Sequence, residues 1–121
     1  MVLIVGGDGS GKRSFAQTLG YAPEEMADGV LDDRPVLFHL EQLVFSDPDA
    51  APALLEPLLQ KQVVICCEVG SGVIPVSRQE RLGREATGRL CVQLAREADC
   101  VVRMVCGLPQ IIKGELPCAL R

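Results

Sequence analysis

The chain has 121 residues, with 16 Asp and Glu against 12 Lys and Arg, and a formal net charge of −4. A single domain spanning residues 1–121 is the expectation, and a domain of this size buries roughly two-thirds of the surface its unfolded chain exposes. The acidic balance excludes a broad nucleic-acid or membrane-surface binder, because both need a basic footprint.

In chain order, residues 2–5 form an apolar, β-branched run that reads as a strand and is too short for a signal peptide. The glycine-rich segment GGDGSGKRSF follows at once, and residues 12–19 carry a helical pattern. Residues 20–35 hold five acids, two prolines and no strand pattern, which predicts a surface loop. Residues 36–38 are a second apolar run. After the turn-like SDPDAAP, Leu54, Leu55, Leu58 and Leu59 predict a helix over 52–60. A third apolar run covers 63–67. Residues 77–98 predict the longest helix, with Leu82, Ala86, Leu90, Leu94 and Ala98 four apart on one stripe. A fourth run, 101–105, closes the series. Nearly continuous hydrophobicity in each run suits strands covered on both faces, and strands alternating with helices imply right-handed crossovers. The expected fold is α/β, three-layered, with a small and mostly parallel sheet.

The six cysteines are not expected to form a disulfide framework or a zinc site. Cys66 and Cys67 are adjacent in an apolar run, Cys91 sits in a helical pattern, no Cys-x-x-Cys occurs, and one histidine cannot complete a zinc finger. Buried free thiols in a reducing compartment are expected. No stretch reaches the roughly 20 apolar residues of a membrane span, so a cytoplasmic location is expected.

Gly6-x-x-x-x-Gly11-Lys12 meets the spacing of a phosphate-binding Walker A loop, with a strand before it and a helix after it. Gly6, Gly7, Asp8, Gly9, Ser10 and Gly11 would turn backbone N–H groups toward phosphate oxygens, and Lys12 would reach the outer phosphates. Position 13 departs from the pattern. The hydroxyl expected there ligates magnesium, whereas Arg13 places a cation where a cation should bind. Ser14 is one residue late, about 100° round the helix. The expectation is that Arg13 instead pairs with a phosphate, so that nucleotide binds with weak or no magnesium.

The stretch EVGSGVIPVSRQERLGREATGRL, residues 68–90, resembles the bifunctional adenosylcobinamide kinase and adenosylcobinamide-phosphate guanylyltransferase family of cobalamin biosynthesis. That family carries Asn-Glu-Val-Gly-x-Gly-Ile-Val-Pro and then a helix with Arg, Arg-(Asp/Glu) and Gly-Arg. Glu68, Val69, Gly70, Gly72, Pro75, Arg78, Arg84, Gly88 and Arg89 fall at matching offsets. CGLPQIIKG resembles the family's next strand ending, and IVGGDGSGK its phosphate loop, including Ser10. The likeness spans residues 1–19 and 62–113. It implies a P-loop fold, ATP or GTP as nucleotide, a corrinoid intermediate as partner and a homo-oligomer, a trimer in relatives. It also shows departures. Arg13 replaces a hydroxyl, His39 stands at an acidic Walker B-like position, and Cys67, Cys91 and Val92 replace amide side chains. The chain is shorter than relatives, and the difference is expected between the first helix and residue 35. Relatives carry there the segment with the histidine that becomes guanylylated, so guanylyl transfer by that route is not expected.

Three residues are candidate catalytic groups: Lys12, Glu68 and His39. Glu68 lies at the carboxyl end of a predicted parallel strand, where α/β sheets place ligands, and reads either as a magnesium ligand or as a structural anion capping the following turn. His39, the one histidine, reads as a neutral ring at a strand's end or as a proton-transfer group. Glu41 reads either as a substitute acid or as a solvated residue. Arg78, Arg81, Arg84 and Arg89 form a basic stripe interleaved with acids, and the first two oppose the helix dipole and so call for an anionic partner or a neighbouring subunit. Mid-helix Gly88 suggests close backbone packing. Two functions follow: a kinase transferring the γ-phosphoryl group to a corrinoid hydroxyl, or a catalytically degenerate nucleotide- or corrinoid-binding subunit or regulator.

Overall fold

The computed structural model describes residues 1–68 and 77–116. The four apolar runs are strands, β1 (Val2–Gly6), β3 (Val36–Phe38), β4 (Val63–Cys67) and β5 (Cys100–Val105). Two further strands, β2 (Met26–Asp28) and β6 (Leu108–Lys113), extend the sheet to six strands in the order β2-β3-β4-β1-β5-β6. All neighbours pair in parallel except β5 and β6, which form an antiparallel hairpin. The fold is therefore α/β with a mostly parallel sheet.

Period-two alternation sends successive side chains to opposite faces. Val2 and Ile4 of β1, Ile65 of β4 and Val102 of β5 pack on one side, with Phe15, Ala16 and Leu19 from α1 (Lys12–Thr18) and its end. Leu3, Val64 and Val101 face the other side, against α2 (Leu40–Ser46), α3 (Leu55–Leu59) and α4 (Arg78–Glu97). The helices thus cover both faces and give three layers. Ile4, Leu37, Val63 and Val64 are completely buried, as nearly continuous apolar strands require.

The structure corrects several expectations. Residues 20–35 are not merely a loop, for Met26, Ala27 and Asp28 pair with Val36, Leu37 and Phe38. Three residues are too few to show a period, and the flanking acids hid the strand. The segment is pinned by Lys61, whose Nζ donates to the carbonyls of Asp32 and Arg34. The helix expected over 52–60 is a 3-10 segment, Pro48–Leu54, followed by the short α3. Pro52 lies inside the first and Pro57 inside the second, and proline cannot donate to the helical ladder. Helix α2 begins directly after β3, so His39 does not continue the strand. It adopts a left-handed conformation with φ 57°.

On α4 the buried stripe is Gly83, Thr87, Leu90 and Leu94, while Leu82 is 41% exposed. Close packing falls at Gly83 rather than Gly88. A Cβ on Gly83 would lie 2.9 Å from the Phe45 ring of α2, whereas one on Gly88 would meet nothing within 4 Å. Ser77 caps the helix by accepting a hydrogen bond from the Glu80 amide at 3.0 Å. No disulfide joins the described cysteines, of which Cys66 and Cys100 are buried, Cys67 and Cys91 half-buried and Cys106 exposed, so the expectation of buried thiols fails at Cys106. No helix among the described residues is long and apolar enough to cross a membrane.

Candidate functional site

The carboxyl ends of β1, β3 and β4 and the start of α1 converge on one edge of the sheet. Between β1 and α1 the chain makes a tight loop in which Gly9 (φ 73°) and Gly11 (φ 91°) take backbone angles that side chains disfavour. The Ser10 amide donates to the Gly7 carbonyl at 3.2 Å, and the Phe15 amide to the Gly11 carbonyl at 2.9 Å, which starts the helix. A Cβ on Gly6 would sit 2.6 Å from Ser10 Oγ and 2.8 Å from the Met104 carbonyl, so the strand passes flush under the loop. Lys12 Nζ reaches back to the Gly7 carbonyl at 2.7 Å, which keeps its charge over the loop. Ser10 Oγ is buried and makes no hydrogen bond, and a buried hydroxyl in that condition is costly. A hydroxyl, an ammonium and a loop of glycine-rich backbone around one space fit a phosphate group.

That space is a cavity of about 290 Å³. Residues 8–14 line it together with Phe38, His39 and Ile65. The guanidinium of Arg13 lies over the Phe38 ring, 4.8 Å from its centroid, a cation–π contact that holds a second cation beside Lys12. Gly6 and Gly7 shape the loop without lining the cavity. Ser14 lines the cavity on the exposed side of α1.

A second cavity of about 320 Å³ opens alongside. It shares Asp8, Lys12 and His39 with the first and adds Glu41, Cys67, Glu68, Glu80 and Arg84. The two differ in charge: Lys12 and Arg13 dominate the first, and carboxylates the second. The three glutamates of this cavity each have a partner. Glu41 Oε1 accepts from the Cys67 amide at 3.0 Å, Glu68 Oε1 from Arg103 Nε at 2.7 Å, and Glu80 Oε1 from Arg84 at 3.3 Å. Burial pushes the Cys67 thiol above its ordinary range against the pull of Lys12, so it stays protonated near neutrality and is no nucleophile.

His39 stands where the two cavities meet. Its Nδ1 is 2.6 Å from Asp28 Oδ1, and its ring packs at 4.7 Å from the Phe38 ring. Asp28 ends β2 and His39 follows β3, so the parallel pairing of the two short strands brings acid and imidazole together. Sequence reasoning missed Asp28, Phe38 and Arg103. An acid followed by glycine after the two apolar residues Met26 and Ala27 was the available signal for Asp28, too brief to separate from a loop.

Magnesium fits the described residues poorly. No three or more His, Cys, Asp or Glu are grouped to hold a metal ion among them. Arg103 holds Glu68, the Cys67 amide holds Glu41, and the position after Lys12 carries a guanidinium. Val69, Gly70, Gly72 and Pro75 of the sequence motif lie outside the described residues.

Residues 36–112 match the family model described as cobinamide kinase / cobinamide phosphate guanyltransferase. The match covers more than half of the chain and begins at β3, downstream of the glycine-rich loop. No curated protein matches the chain.

Proposed function

This chain belongs to the cobinamide kinase / cobinamide phosphate guanyltransferase family, and from that premise we propose that it binds a nucleoside triphosphate, ATP or GTP, and transfers the γ-phosphoryl group to a corrinoid hydroxyl. The observation that carries the reading is the loop of residues 6–12. It combines glycines at positive φ, a buried unpartnered Ser10 hydroxyl and the Lys12 ammonium at the mouth of one cavity. Phosphates would lie against the loop amides and Ser10. Lys12 and Arg13 would neutralise the charge on the transferring group, so phosphoryl transfer here would rest on positioning and fixed cations. The acceptor alcohol would enter the second cavity, where Lys12 and His39 are common to both spaces. Guanylyl transfer by the relatives' route is not part of this reading.

Arg13 supports a second reading, a nucleotide-binding subunit without catalysis, because it displaces the hydroxyl that would ligate magnesium. Calorimetric titration with ATP and GTP, each with and without magnesium, tests both. Binding that is indifferent to magnesium, followed by label transfer from γ-labelled nucleotide to cobinamide, is the expected result. Binding without transfer leaves the second reading, and no binding by folded protein overturns both. A cytoplasmic homo-oligomer, a trimer as in relatives, is part of the proposal, supported by the apolar edge that β6 presents.

A further inference from the structure

We propose that Asp28 and His39 form a proton-accepting dyad, in which Asp28 fixes the imidazole tautomer and His39 takes the proton of the acceptor hydroxyl. The inference rests on the phosphoryl-transfer reading and assigns its base. Three observations carry it. The Asp28 carboxylate occupies Nδ1 at 2.6 Å, so a neutral ring carries its proton there and Nε2 is left as the acceptor. The imidazole lines both cavities, the cationic one at the loop and the acidic one beside it. The residue is held at φ 57°, a conformation uncommon for a side chain of this size, with its carbonyl accepting from the Gln42 amide at 3.0 Å.

The pair is not needed to hold the strands together. The Gly29 amide already donates to the Phe38 carbonyl at 2.8 Å, and β2 and β3 pair along their length. Asp28 is 62% exposed and His39 34%, so their contact contributes little to stability. Of the other acids that line these cavities, Glu41 is committed to the Cys67 amide and Glu68 to Arg103, while Asp8 lines both cavities beside His39 but makes no hydrogen bond to its ring.

In the step itself, the acceptor O–H proton passes to Nε2 while the alcohol oxygen forms a bond to the γ-phosphorus. The bond from that phosphorus to the β,γ-bridging oxygen breaks, and the bridging oxygen leaves with the electron pair on the nucleoside diphosphate. The imidazolium, held by Asp28, returns its proton to water. His39 is thus a catalytic residue and Asp28 a positioning residue.

The chain has one histidine, so long-range ¹H–¹⁵N spectra of the intact protein report on this ring alone. The neutral ring is expected to carry its proton on Nδ1 in the wild type and to shift toward the Nε2-protonated form in Asp28→Asn. His39→Asn keeps a side chain that tolerates the left-handed backbone. Assayed with γ-labelled ATP or GTP and cobinamide, it is expected to lose kcat by about 100-fold or more with nucleotide KM little changed. Asp28→Asn is expected to lose on the order of 10-fold or more, with partial recovery in Asp28→Glu. An Nε2-protonated ring in the wild type, or undiminished kcat in His39→Asn, overturns the dyad. Wild type that binds nucleotide in the titration yet transfers nothing to cobinamide also overturns it, while leaving the nucleotide-binding reading standing.

Discussion

At the scale of single residues, glycines on one helix separate two roles that composition treats alike. Gly83 lets α4 approach the Phe45 ring, and a methyl there would press on a whole aromatic ring rather than on a flexible tip. Gly83→Ala should destabilise the fold by about 1–3 kcal/mol, as overpacking does. Gly88→Ala fills open space and should stabilise by up to about 1 kcal/mol through helix propensity. Chemical denaturation of both variants measures the pair, and equal signs would refute the assignment. Asp32 offers a pH test. Hydrogen bonds from Arg34, at 2.6 Å from Nη2, hold its carboxyl below the ordinary 3.8. A lowered folded value means stability that is present above 3.8 and lost as pH falls through the folded value. The difference in Tm between wild type and Asp32→Asn should therefore be largest near neutrality and close in acid.

Elements succeed here through packing more than through local preference. Helix α2 has seven residues, below the length at which an isolated helix is stable, and it stands by burying Leu40 and Val44 against β4 and α4. Helix α4, at 20 residues, has local support of its own in the Ser77 cap and the Glu80–Arg84 pair. Ser77→Ala leaves the Glu80 amide without its acceptor and should cost about 1 kcal/mol. A thermal melt reads that loss, and an unchanged Tm would mean the cap is replaced by water. The Walker A spacing was legible in the sequence because it is local: glycines, lysine and helix start are neighbours in the chain. The Asp28–His39 contact was not legible, because 11 residues of chain separate its members and the three-residue strand that aligns them shows no period.

For the whole molecule, the sheet ends unevenly. At one edge β2 is short and flanked by charge. At the other, β6 is exposed along its length, with Leu108 70% and Ile112 57% accessible. An apolar edge strand invites pairing with another chain. If oligomerisation uses this edge, Leu108→Lys combined with Ile112→Glu should convert the assembly to monomers without loss of nucleotide binding. Sedimentation velocity measures the first and calorimetry the second. A monomeric wild type would overturn the oligomer.

The sequence by itself determined the α/β class, the β1, β3, β4 and β5 segments and the glycine-rich turn between β1 and the first helix, because period, glycine placement and continuous apolar runs are properties of contiguous residues. Its motif around Glu68 also carried the family resemblance, in agreement with the match over residues 36–112. Only the tertiary structure decided that Glu68 is held by Arg103, that Arg13 lies on Phe38, that His39 begins a helix and meets Asp28, and that Gly83 is the tight contact. Each of these depends on which strand lies beside which, and the sheet order β2-β3-β4-β1-β5-β6 is settled by burial across the whole chain.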